Sequence, residues 1–318
     1  MRVAVTGATG FVGHALIERL VDDQDDSILA ISRSPRINID RPYDTAFGNL
    51  GGEVDWCEKL SGVDVLVHTA SRVHVMNPAG IESLDDFHLV NVVGALDLAN
   101  QAATVGVRRF IYISSIKVNG EFTNSNVLFT SKDINIPSDP YGLSKYEAEV
   151  GLKRIAKETD MEVIIIRPPL VYGPGVKANF ASMLRLAATG LRLPFGLVTH
   201  NRRSLVFVEN LVDLIVTCIS HPAAANETFL VSDNEDLSTA DMFSRLARSC
   251  GKSGRLLPMP KALFKVAFKL IGKPDIYQRL CGSLQTDISD TINKLDWTPP
   301  YTVDEGFNKT AHYYLNNK

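Results

Sequence analysis

One octapeptide, Thr6-Gly7-Ala8-Thr9-Gly10-Phe11-Val12-Gly13, constrains this chain more than any other stretch. It follows directly on the short apolar run Val3-Ala4-Val5, and the residues after it place Val12, Ala15, Leu16 and Leu20 on one helical face. Strand, glycine-rich turn and amphipathic helix, in that order, are the context a dinucleotide-binding fingerprint requires. In that reading Gly7 allows the tight turn, Gly10 lets backbone approach a pyrophosphate, and Gly13 lets the helix sit close to the strand. The helix start presents unpaired N–H groups and a partial positive charge to phosphates. Thr9, Phe11 and Val12 therefore join the three glycines as cofactor-binding candidates.

Further apolar, β-branched runs recur at 28–31, 65–67, 110–113 and 163–166, with helix-length segments between them. Each is apolar throughout, as expected of strands covered on both faces, so the fold class is α/β with a Rossmann-like, doubly wound parallel sheet. After Arg167 the texture changes to Pro168-Pro169 and Gly173-Pro174-Gly175, then a helical stretch at 179–188 and mixed short elements to the end. A smaller C-terminal lobe for the substrate begins there. The run at 205–208, followed by a helix-like pattern at 211–219, could return to the sheet, so the two lobes interleave. The expected division is 1–170 with 203–222 for the dinucleotide, and 171–202 with 223–318 for the substrate.

The glycine spacing is Gly-x-x-Gly-x-x-Gly, not the Gly-x-Gly-x-x-Gly of the ordinary dehydrogenase fingerprint. It resembles the short-chain dehydrogenase/reductase superfamily in its extended, nucleotide-sugar branch. The resemblance implies a serine after the fourth strand and a Tyr-x-x-x-Lys on the next helix. Both are present: Ser114-Ser115 closes the run at 110–113, and Tyr141-Gly142-Leu143-Ser144-Lys145 opens a helix signalled by Asp139-Pro140. Four residues are slightly more than one helical turn, so Tyr141 and Lys145 project from one face. A free phenol titrates at about 10, and a nearby ammonium favours the phenolate, which brings Tyr141 into range as a general acid or base. Ser115, Tyr141 and Lys145 are the catalytic candidates, with Ser115 steadying the substrate oxygen and Lys145 also holding the cofactor ribose.

The resemblance extends over nearly the whole chain. His68-Thr69-Ala70-Ser71 is similar to the family's loop beside the pyrophosphate, which assigns His68 and Ala70 to the cofactor. Asn91-Val92-Val93-Gly94 is similar to its helix carrying an asparagine near the catalytic lysine. The segment 167–175 is similar to the signature beside nicotinamide and sugar, which adds Pro168 and Val171. Asn179 and Arg203 match positions that contact the nucleotide diphosphate in relatives, although Ser204 replaces the usual aspartate after that arginine. Arg279 is a further candidate for a diphosphate contact, but the family's late arginine aligns here only with a gap. Where NAD-specific members end the second strand with an acid, this chain has Ser32-Arg33-Ser34, and an arginine suits a 2′-phosphate. NADP(H) is therefore the favoured cofactor, with NAD(H) as the alternative.

Members of the branch act as dehydratases, epimerases or 4-keto reductases. Dehydratases carry Asp-Glu just after the catalytic serine or threonine; Ile116-Lys117 stands there instead, which disfavours dehydration. Lys117 becomes a candidate sugar contact. The Ser32-Arg33 pair leans towards an NADP(H)-dependent 4-keto reductase of a UDP-activated 6-deoxy-hexosamine or similar sugar in surface-polysaccharide biosynthesis. A UDP-hexose 4-epimerase with bound NAD is second. A relative that keeps the fold but has lost turnover is the rival of another class, and the retained Ser115, Tyr141 and Lys145 argue against it.

Composition removes other classes. Thirty-six acidic against 33 basic residues give a net charge of -3, so the global field does not attract a nucleic acid. Cys57, Cys218, Cys250 and Cys281 stand far apart, as reduced core residues do, and no metal site is expected. No apolar run approaches the length that crosses a bilayer. Met1-Arg2 leads straight into the first strand, so a cytoplasmic address is expected. The segment 261–273 repeats Lys261, Lys265 and Lys269 among apolar residues and reads as a basic amphipathic helix. Relatives often pair through the helices carrying Asn91 and Tyr141, which makes a homodimer the expectation.

Overall fold

Strands buried on both faces need apolar residues at every position, and the runs seen in the sequence meet that requirement as the centre of a parallel sheet. The computed structural model describes residues 1–22, 27–33, 43–72, 84–124, 127–260, 263 and 274–317. Its main sheet comprises β1 (Arg2–Thr6), β2 (Ser27–Ser32), β3 (Asp44–Phe47), β4 (Val65–His68), β5 (Arg109–Ile113), β6 (Glu162–Arg167) and a last strand, β9 (Thr228–Leu230). The spatial order is β3-β2-β1-β4-β5-β6-β9, all parallel. The order reverses between β1 and β4, and open α/β sheets bind ligands in the crevice beyond the carboxyl ends of the strands at such a switch point. Thr6 pairs with His68 there, and Ile113 with Ile166.

Alternation along the strands divides the core. Val3, Val5, Val65, Val67, Ile111, Ile113, Ile164 and Ile166 face one layer, with Leu16, Ile17 and Leu20 of α1 (Phe11–Asp22). Ala4, Leu66, Phe110, Tyr112, Val163 and Ile165 face the other, opposite α4 (Gly94–Thr104) and α5 (Pro140–Glu158). Between these two helices and α1 the chain forms α2 (Trp56–Lys59) and α3 (Leu84–His88), and a π turn, Leu89–Val93, joins α3 to α4.

Two details differ from the sequence reading. The run at 205–208 contributes β8 (Leu205–Phe207), which pairs with β7 (Leu170–Tyr172) in a separate two-stranded sheet, not with the main one. The seventh strand of the main sheet is β9 instead. The helix after β8, α7 (Val208–Ser220), packs against α1 and β5. Its last carbonyls are tied down by Arg109 Nη1, which donates to Cys218 O at 2.7 Å and Ile219 O at 2.9 Å. The smaller lobe holds α6 (Ala178–Ala188), α8 (Thr239–Ser249) and helices Pro274–Cys281, Ser289–Leu295 and Val303–Asn316. The basic stretch at 261–273 lies outside the described residues, Leu263 apart. Among the described residues no helix is long and apolar enough to cross a membrane.

Candidate active site

The glycine loop leaves β1 at the switch point. Gly7 has φ +71°, a conformation glycine adopts without strain, and its N-terminal neighbour Thr6 accepts at its carbonyl from Thr69 Oγ1 at 2.7 Å. A Cβ on Gly13 would lie 2.3 Å from Gly7 O and 2.7 Å from Thr69 Oγ1, so α1 can sit this close only without a side chain there. A Cβ on Gly10 would meet only Gly7 O, at 3.0 Å, which leaves the outer side of that residue open to close approach. Thr9 and Gly10 are exposed, and Phe11 and Val12 form the first turn of α1, whose leading N–H groups have no intrahelical acceptor. These features fit the pyrophosphate of a dinucleotide.

Around this loop the other cofactor candidates occupy distinct situations. Ala70 packs against Gly7, its N 2.7 Å from where a Gly7 Cβ would be. His68 ends β4, buried, with Nδ1 2.9 Å from Thr6 Oγ1 and its ring stacked on Tyr112 at 5.7 Å. Burial, and then the charge of Lys145, push its pKa down to about 3, so the imidazole is neutral. His68 Nε2 and the Tyr112 hydroxyl are buried without a hydrogen-bond partner among the described residues. Asn91, in the π turn, spends its full hydrogen-bonding capacity inside the protein: Oδ1 accepts from Arg72 N at 2.7 Å and Ser71 Oγ at 3.1 Å. Its Nδ2 donates to Ser144 Oγ and Arg72 O, each at 3.0 Å. It is a strut between the loop after β4 and α5. Ser32 is buried at the end of β2, and Arg33 beside it is exposed.

The catalytic candidates come together from two elements. Asp139 caps α5, accepting from Gly142 N at 3.1 Å, and Pro140 supplies the first helical residue, which places Tyr141 in the first turn of the helix. Ser115 caps the short turn Ile116–Val118, its Oγ accepting from Lys117 N at 3.3 Å, and lies close enough to Tyr141 to favour the ionised phenol. Lys145, buried, donates from Nζ to Ile113 O at 2.8 Å and lies 4.6 Å from the Tyr112 ring centre and 6.0 Å from that of Tyr141. Burial pushes the Tyr141 phenol up to about 12, opposed by Ser115 and reinforced by the Asp139 charge. Burial therefore works against the acidifying influence expected of Lys145 on this phenol. Desolvation dominates both groups: it also brings Lys145 down to about 7, against the pull of Glu149.

Lys117 lies beside the phenol, its Nζ 5.9 Å from the Tyr141 ring centre. It pairs with Asp139 Oδ1 at 2.7 Å and Glu121 Oε1 at 3.4 Å. Pro168 accepts at its carbonyl from Ile116 N at 3.0 Å, which joins the segment after β6 to the turn after Ser115. Val171 is half-buried in β7. Among the candidates for substrate contacts, Arg203 Nη1 donates to Gly282 O at 3.2 Å. Burial, and then the nearby charge of Arg279, lower the Arg203 pKa. The two guanidinium groups therefore repel each other, and an anion between them would relieve that. Ser204 donates to Asp236 Oδ1 at 2.5 Å, so a carboxylate from another segment stands beside the place where relatives have aspartate. Asn179 is exposed in the first turn of α6, and among the described residues it shares no hydrogen bond with either arginine.

Sequence reasoning missed Asp139 as a partner of Lys117, and missed Glu149 and Arg167 below the site. Arg167 and Glu149 form a buried pair with Nη2 to Oε2 at 2.6 Å. Glu149 continues the four-residue spacing of Tyr141 and Lys145, a signal that was available.

Residues 3–232 match the model of the NAD dependent epimerase/dehydratase family. The chain is 49% identical over 318 residues to a UDP-glucose 4-epimerase of Vibrio cholerae, covering 99% of this chain and 97% of that one. It is 26% identical over 328 residues to an N-acetyl-alpha-D-glucosaminyl-diphospho-ditrans,octacis-undecaprenol 4-epimerase of Escherichia coli O157:H7, covering 98% and 94%. A solved UDP-glucose 4-epimerase of Thermotoga maritima with UDP-glucose superposes with a TM-score of 0.81 at 19% identity, covering 100% of this chain and 99% of the other. A UDP-glucuronic acid 4-epimerase of Bacillus cereus in complex with NAD gives 0.79 at 19% identity, with the same coverage. At these identities the two structures bear on the fold alone.

Proposed function

The chain belongs to the NAD-dependent epimerase/dehydratase family, within the extended short-chain dehydrogenases/reductases, and from that membership we propose that it is a UDP-hexose 4-epimerase using NAD. The observation that supports an enzymatic reading is the convergence of three side chains from two elements: Ser115 close to Tyr141, and Lys145 one helical turn along with its Nζ 6.0 Å from the Tyr141 ring centre. Among the reactions open to such a site, full-length likeness at 49% to an epimerase favours this one over the 4-keto reductase that the sequence reading placed first.

In this reading the glycines at 7, 10 and 13 and the start of α1 bind the dinucleotide pyrophosphate, and Arg203 with Arg279 binds the UDP diphosphate. When bound, NAD supplies a hydride acceptor that later returns the hydride. Tyr141 must first release its own proton to solvent; as the phenolate it takes the proton of the sugar C4 hydroxyl as C4 is oxidised, and gives it back when C4 is reduced on its other face. Ser115 holds the oxygen throughout, and Lys145 holds the ribose. Leu89, Val93 and Val150, each about half exposed on the π turn and α5, support pairing of two copies through these helices.

The test is incubation of the purified protein with NAD and UDP-glucose or UDP-galactose, following the sugar signals by NMR. Interconversion is expected. Tyr141→Phe should lower turnover by about 10²–10⁴-fold while NAD still binds. Unchanged sugars, together with NADPH consumption on a 4-keto sugar, would establish the reductase instead.

Exposed Arg33 at the end of β2 supports a second reading of the cofactor, NADP(H). If it holds, Arg33→Asp weakens NADP(H) and strengthens NAD in a direct binding titration. NAD already preferred by the unaltered protein would remove it.

A further inference from the structure

Four residues beyond Lys145 on α5, one turn along the face that carries Tyr141, lies a carboxylate that the chemistry above does not use. Glu149 is 2% exposed. Its Oε1 accepts from Ser114 Oγ at 2.5 Å and from Arg167 Nε at 2.9 Å, and its Oε2 accepts from Arg167 Nη2 at 2.6 Å. Ser114 precedes Ser115 at the end of β5. Arg167 ends β6 and precedes Pro168, and its Nη1 donates to Asn119 Oδ1 at 3.1 Å and Asp133 O at 3.0 Å. One carboxylate thus joins the three elements that carry Ser115, the Tyr141–Lys145 pair and Pro168.

Three cations also depend on this single anion. Arg167 is paired with it directly, and both Lys145 and Lys153 feel its charge. The groups that face Lys145 from neighbouring strands offer no substitute: His68 on β4 is neutral, and burial keeps Tyr112 on β5 un-ionised. Tyr141 on the same helix is a protonated phenol at neutral pH. Glu149 is the anion coupled to Lys145, and it opposes the desolvation that would strip the proton from Nζ.

We propose that Glu149 is a positioning residue of the reaction: through Ser114 and Arg167 it fixes the ends of β5 and β6 against α5, and it sets a carboxylate one helical turn from Lys145. It touches neither substrate nor cofactor. The inference rests on the dinucleotide reading of the site and not on which sugar is turned over.

The experiment compares the unaltered protein with Glu149→Gln and Glu149→Asp, measuring NAD affinity and turnover as functions of pH, with circular dichroism to establish folding. As an ammonium Lys145 donates to the ribose more strongly than as a neutral amine and favours the Tyr141 phenolate, so both quantities fall on the alkaline side. In Glu149→Gln that alkaline fall moves to lower pH by about one unit, and Glu149→Asp, which keeps the charge, returns it towards its original position. A folded Glu149→Gln protein whose alkaline fall is unmoved would overturn the proposal, because loss of packing alone leaves that position where it is. If Glu149→Gln does not fold, because Arg167 is left buried and unpaired, the double variant Glu149→Gln/Arg167→Met removes both charges. Its alkaline fall is expected below that of the unaltered protein, and an unchanged position again overturns the proposal. Failure of the unaltered protein to interconvert UDP-hexoses would count against the epimerase reading, while the pH dependence of NAD affinity would still judge Glu149.

Discussion

Tyr141 and Lys145 were legible in the sequence because a four-residue spacing fixes their common face before any tertiary contact is made. What the spacing does not carry is the environment of those side chains. Burial holds the free phenol at about 12 and the ammonium at about 7, a pairing opposite in sense to the acidified tyrosine that proximity alone implies. This has a measurable consequence for stability. An unfolded lysine titrates at about 10.4, so between about 7 and that value the unfolded chain holds a proton that folded Lys145 has lost. By linkage, the contribution of Lys145 makes the folded protein more stable as pH rises through that window. Lys145→Met should therefore be stabilising below the window and should flatten the rise within it, as read from denaturant midpoints across pH. A rise of unchanged slope in Lys145→Met would mean that Lys145 is not the group responsible.

Elements with strong local signals appear where the sequence places them: the buried strands at 65–67, 110–113 and 163–166, and α5 behind Asp139-Pro140. Asp139 does two things there, capping the helix that presents Tyr141 and pairing with Lys117. Asp139→Ala is expected to cost about 1 kcal/mol of stability through the lost cap, and also to leave Lys117 with Glu121 as its acidic partner beside the phenol. Chemical denaturation checks the first effect. Weaker elements escaped: β3 is Asp-Thr-Ala-Phe with most of its side chains exposed, and β9 is only three residues long. Neither has the length or the apolar continuity that distinguishes a buried strand. The run at 205–208 has that continuity, yet it pairs with β7, since its partner was set by where the chain re-entered after α6 and not by its own composition.

The whole molecule brings together residues that no local pattern connects. Arg203 and Arg279 are 76 positions apart, yet the fold brings the charge of Arg279 near enough to lower the Arg203 pKa. Asn91, expected at the cofactor, bonds Ser144 and the 71–72 loop. Beyond the single chain, the half-exposed Leu89, Val93 and Val150 support a dimer through α5 and the π turn. If it forms there, Leu89→Lys with Val150→Lys should convert a two-chain species to a one-chain species in sedimentation velocity without loss of helical signal. An unaltered protein sedimenting as one chain at the same concentrations would end that reading. The sequence by itself determined the parallel α/β class, the glycine-rich turn between β1 and α1 and the shared face of Tyr141 and Lys145, because periodicity and glycine sterics act over a few residues. Only the tertiary structure decided which anion serves Lys145, what Asn91 holds and how the two arginines meet, because burial and charge coupling depend on segments that touch only after folding.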